Sequence, residues 1–109
     1  DTPEAVANYT RIEALCEALP PGPARLPAIL GLAVLHQTRA DLRRSAVWAE
    51  KLLDVATAHG IAPLRVAAHA MLGTSASSYT GFATACRHYD EMHRLAAETP
   101  VFIVSGSRR

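Results

Sequence analysis

The sequence predicts an all-α domain of five antiparallel helices arranged as a repeat. Three observations carry that expectation. PARLPAILGL (23–32) and PLRVAAHAML (63–72) share an outline at an offset of 40, pairing Pro23 with Pro63, Arg25 with Arg65, Ala28 with Ala68 and Leu32 with Leu72. A fixed period of that size marks stacked supersecondary units. Half of the 109 residues are apolar, yet only 6% are aromatic and alanine is abundant. That composition suits helices packed through small side chains better than a β-sandwich. Glycine and proline, finally, cut the chain into segments of helical length.

The elements follow in order. Thr2 reads as an N-cap, Pro3 as the first helical residue and Glu4 as an acid favoured by the helix dipole. This first helix spans about 3–19 and stops at Pro20-Pro21-Gly22-Pro23. The second spans about 24–38, with Pro27 in its first turn, where a missing N–H costs little. The third spans 41–59 and ends at Gly60, with His59 in the last turn where a cation meets the dipole favourably. The fourth spans 63–78 and the fifth 82–98, before Pro100. Residues 99–109 break the pattern and form a tail, extended or disordered.

The offset of 40 extends to the odd-numbered helices. Ala5, Ser45 and Ala85 align, as do Tyr9, Ala49 and Tyr89; Ile12, Leu52 and Met92; and Cys16, Ala56 and Ala96. Spacings of four, three and four put these positions on one helical face. In the even-numbered helices Leu32-Ala33 and Leu72-Gly73 are large–small pairs at which a neighbouring helix comes close. Leu42 and Phe82 open the following helices as bulky plugs, and Tyr89 is expected as an inter-helix plug. The organisation is half a repeat followed by two full ones, each burying its face against the next.

Charge excludes some functions. Eleven basic and ten acidic residues nearly cancel, which gives no footprint for direct nucleic-acid contact or an anionic membrane. Arg43-Arg44 and Arg108-Arg109 are too short for a nucleic-acid patch. No apolar run reaches bilayer length. Two isolated cysteines form no disulfide framework, and with no signal peptide the expected location is cytoplasmic. A start at Asp1 rather than Met suggests a piece of a longer chain.

Catalytic and metal chemistry are not expected, and no cofactor is implied. Cys86, His88 and His93 lie on one helix, but their spacing does not stack three donors on one face. Cys86 and His88 at i and i+2 point apart, so the imidazole cannot activate the thiol. Cys16 and Cys86 read as small buried side chains, His36 and His69 as inter-helix residues, and His88 as solvated. Asp90, Glu91 and His93 read as a solvated face, and Trp48 as a residue packed against the preceding repeat. A self-contained helical protein with a ligand-binding or catalytic role through His36 and His69 is the alternative.

Leu72-Gly73, Phe82, Ala85 and Tyr89 resemble the tetratricopeptide (TPR) pattern of a large–small pair followed by aromatic, alanine and aromatic. The first full repeat departs from it, with Ala33, Ser45 and Ala49 at the glycine, alanine and aromatic positions. Thr57 and Ala97 stand where proline is usual, and the period exceeds the roughly 34 residues of the standard motif. The stretch 9–60 also looks like the longer, degenerate TPR-like repeats of large bacterial ATP-dependent regulators, such as LuxR-type transcriptional regulators and ATPase-coupled adenylate cyclases, a resemblance that covers about Tyr9 to Leu95. The quoted elements are Leu15-Cys16 with Leu19, Pro27-Ala28 with Gly31-Leu32, and Leu42 through Leu53. The resemblance implies a right-handed α-α superhelix acting as an interaction or effector-sensing module in signalling or transcription regulation. It implies a concave wall made by Leu30, Val34, Gln37 and Thr38 of the second helix and Ala70, Met71, Thr74, Ser77 and Ser78 of the fourth. An uncharged wall of this kind suits a protein segment or a small uncharged effector. Open solenoid ends would also allow two chains to pair as a homodimer.

Overall fold

A computed structural model describes residues 2–79 and 81–98, with the backbone alone at 78 and 79. The expected tail at 99–109 lies outside the described residues. Five α-helices follow one another: α1 (Pro3–Ala18), α2 (Leu26–Thr38), α3 (Leu42–Ala58), α4 (Ala62–Tyr79) and α5 (Phe82–Glu98). Among the described residues there is no strand, and no helix is long and apolar enough to cross a membrane.

Local chemistry sets the ends. The Thr2 hydroxyl accepts from the Ala5 N–H at 3.1 Å, and Asp41 caps α3 by accepting from the Arg44 N–H at 3.2 Å. The second helix starts later than its sequence pattern suggests, because residues 23–25 form a 3-10 turn. Pro27 has no N–H to give the Pro23 carbonyl, so the i→i−4 ladder cannot begin there. The Leu26 N–H takes that carbonyl instead, and the α-helix proper starts at Leu26.

The helix exits follow a common rule. The N–H groups of Asp41, Ile61 and Gly81 reach back five residues to the carbonyls of His36, Ala56 and Ala76, at 2.8, 2.9 and 2.8 Å. The carbonyls of the same three residues then accept from Ser45, Arg65 and Ala85, opening the next helix. The 40-residue repeat is therefore two helix–turn units of 20 positions each. The α1–α2 connection departs from this rule, since Pro21, twenty positions before Asp41, has no N–H to donate.

Each helix packs against its neighbour in sequence, with α1 on α2 the lightest of the contacts. Along α4 the residues Thr74, His69 and Arg65 meet Tyr89, His88 and Glu91 of α5, a broadly antiparallel register. The core joins Cys16 of α1, Leu26, Ile29 and Ala33 of α2, Ala49 and Leu52 of α3, and Ala68, Met71 and Leu72 of α4. Ser45, Ala49, Leu52 and Ala56, the repeat face of α3, are fully buried. Ala96, the last position of the same face on α5, is exposed. The difference is one of place: α3 lies between two helices and α5 ends the described array.

Both small residues of the large–small pairs sit at close approaches. The Ala33 carbonyl accepts from the Ser45 hydroxyl at 2.9 Å. A Cβ on Gly73 would lie 2.6 Å from a Tyr89 ring carbon, so the ring rests on bare backbone. Phe82 differs from its expected role as a plug and is 82% exposed. Leu42, its counterpart, is half-buried, and its carbonyl accepts from the Ser75 hydroxyl of α4. Among the described residues no helix follows α5 to meet Phe82 in the same way.

Candidate functional site: a cleft between α3 and α5

A cleft of about 370 Å³ opens between α3 and α5, over α4. Arg43, Ala46, Val47 and Glu50 form one wall, Thr84 and His88 the other, and Leu72, Ser75 and Ala76 the floor. The α3 wall runs two helical turns, about 10 Å at the α-helical rise. Val47 is 54% exposed and offers an apolar contact at its centre. The Ser75 hydroxyl is already spent on Leu42, so the floor is effectively apolar.

The repeat explains why the cleft exists. Stepping back by 40 converts Ala49, Ala76 and Thr84 into Tyr9, His36 and Arg44. Those larger residues form a stack in the first repeat. The Tyr9 and His36 rings meet edge to face with centroids 4.8 Å apart, and the Arg44 guanidinium lies 5.2 Å from the Tyr9 ring centre. The second repeat has small side chains at these positions, and two of them, Ala76 and Thr84, line the open space. The outer face of α1 carries Pro3, Val6, Ala7 and Thr10, the counterparts of the α3 wall, as a shallow apolar strip.

Two histidine environments border these features. His36 is fully buried, and neither ring nitrogen has a hydrogen-bond partner. Burial lowers its pKa, against the opposing pull of Asp41. His69 and His88 face each other across the α4–α5 interface with their Nδ1 atoms 3.0 Å apart. His88, expected to be solvated, is thus half-buried and paired. Burial and the neighbouring His88 lower the His69 pKa. Glu91 pairs with Arg94 and, at 4.0 Å, with Arg65. The pairing with Arg94 holds its carboxyl below the ordinary value.

The residues expected on a concave wall divide. Val34 is 45% exposed, Thr38 and Ser77 are exposed, and Gln37 is half-buried. Leu30 is half-buried and packs against the core. Thr74 is half-buried, with its hydroxyl engaged by the Ala70 carbonyl and the Tyr89 hydroxyl. Met71 does not face a groove: it is 7% exposed and belongs to the core. It lies three residues after Ala68 and one before Leu72, on the stripe α4 turns towards its neighbours. The side chain of Ser78 lies outside the described residues. The cleft itself escaped sequence reasoning, although the signal was available in the large-to-small exchanges between repeats.

Trp48 is half-buried against the core, with the Lys51 ammonium 5.1 Å from its ring centre. Both cysteines are free; Cys16 is buried and Cys86 is half-buried rather than enclosed. Among the described residues no three His, Cys, Asp or Glu side chains are grouped to hold a metal ion. Set against family models, curated proteins and solved structures, the chain matches none of them.

Proposed function

We propose that this chain is a TPR-like interaction module that seats the apolar face of a partner polypeptide in the α3–α5 cleft. The observation that carries the reading is the two-turn, largely apolar cleft at the positions where the repeat exchanges large side chains for small ones. Its dimensions suit a short amphipathic helix anchored by apolar residues at i, i+3 or i+4, and i+7. Arg43 and Glu50 at the rim would set register through charge, while Val47 and Ala76 supply apolar contact. The sequence neighbour-to-neighbour packing of the helices suits a superhelical stack. The resemblance to repeat regions of bacterial ATP-dependent regulators suggests that the partner is a segment of such a regulator, met in the cytoplasm. Catalysis is not part of the reading.

Selection of a displayed library of random 14-residue peptides tests it. Binders should carry apolar residues at helical spacing, and Val47→Glu should abolish their binding while circular dichroism stays unchanged. Peptides lost instead on Val34→Glu would transfer the site to the α2–α4 wall. That second location is favoured by the exposure of Val34, Thr38 and Ser77. If no selected peptide responds to either substitution, the interaction reading is wrong.

A further inference from the structure

We propose that the His69–His88 contact is a proton-sensitive latch that holds α5 against α4 and releases when both rings are protonated. Each neutral imidazole carries one N–H, on Nδ1 or on Nε2. The two Nδ1 atoms stand 3.0 Å apart, so one ring must donate from Nδ1 while the other accepts there and keeps its proton on Nε2. A first added proton enters the donor ring at Nε2 and leaves the contact intact, now charge-assisted. A second can enter only at the accepting Nδ1. Two N–H groups then oppose each other between two cationic rings whose centroids are 5.2 Å apart.

The surroundings do not absorb that charge. From α4 the facing group is Arg65, and from α5 they are Glu91 and Arg94. Glu91 is shared between both arginines, and Glu98 occupies a second position on Arg94. From α3, Arg43 and Glu50 share the cleft with His88 and are of opposite sign. Three arginines and three glutamates thus cancel around the contact, and a doubly protonated pair would add positive charge that nothing in this set offsets. Burial and the neighbouring His88 place the His69 pKa below its ordinary value. Because His88 is also part of the cleft wall, release would shift that wall. This consequence rests on the interaction reading, whereas the latch itself does not.

Two measurements on the unliganded protein test the latch. Long-range proton–nitrogen NMR at about pH 7.5 should show one of the two rings as the Nδ1–H tautomer, the form less favoured in water. A double-mutant cycle with His69→Leu and His88→Leu isolates the pair from His36 and every other titrating group. The coupling should favour the folded state about fivefold at pH 7.5, the factor one net hydrogen bond supplies, and should vanish or reverse at about pH 5. Two Nε2–H tautomers, no coupling at the higher pH, or equal coupling at both overturns the latch. None of these results bears on whether the cleft holds a peptide, which the displayed library decides separately.

Discussion

At the scale of single residues, Gly73 and Tyr89 show how one missing methyl fixes a helix spacing. Gly73 lies in mid-helix, where glycine is less favourable than alanine by about 1 kcal/mol. Its retention is explained by the Tyr89 ring, which a Cβ would meet at 2.6 Å. Gly73→Ala should therefore destabilise by about 1–3 kcal/mol through overpacking, as read by urea unfolding. With Tyr89→Leu in place the same substitution should become neutral or stabilising, a change of sign that propensity alone cannot give. His36 makes a second residue-scale case. It is buried neutral, so the unfolded chain binds a proton more readily than the folded one. Its contribution to stability is complete above the ordinary histidine pKa and is lost as pH falls through the depressed folded value. His36→Leu should flatten the loss of stability between about pH 7 and about pH 5, and should not destabilise at neutral pH, since it removes two unpaired buried nitrogens.

At the scale of elements, the helix–turn unit of 20 positions is made by carbonyl–amide bonds at His36–Asp41, Ala56–Ile61 and Ala76–Gly81. In the first two of these exits the residue before the donor adopts the left-handed conformation, and Gly60 does so at φ +67°. Ala40 occupies the same place at φ +61°, where a Cβ is strained by roughly 1 kcal/mol. Ala40→Gly should accordingly raise stability by about 0.5–1 kcal/mol, visible as a shift of the denaturant midpoint at constant slope. Much of the element order was legible in the sequence, because Pro20-Pro21, Gly60 and the small–large alternation act locally. The start of α2 was not, since it depends on which donor finds the Pro23 carbonyl rather than on periodicity. The exposure of Phe82 and the burial of Met71 were illegible for another reason: both follow from which neighbouring helix covers a position. A pattern within one helix does not carry that information.

At the scale of the whole molecule, the two repeats share a backbone plan and differ in how they fill it. Tyr9, His36 and Arg44 close the first repeat by stacking. Ala76 and Thr84 line the space left open in the second one, beside Val47. If the cleft arises from side-chain volume and not from helix spacing, it can be closed without moving any helix. The pair Ala76→Leu with Thr84→Arg places larger side chains at two lining positions and restores a first-repeat residue at the second. The added apolar contact enters existing space, so the melting temperature should hold or rise by a few degrees, since about 1 kcal/mol moves it by roughly 4–8 °C in a domain of this size. Binding of cleft-selected peptides should weaken by about tenfold or more, as expected when the central pocket of an interface is filled. A variant that keeps full peptide affinity while unfolding at a lower temperature would show that the helices had spread to admit the new side chains. The cleft would then be a property of helix spacing, and the volume argument would be refuted.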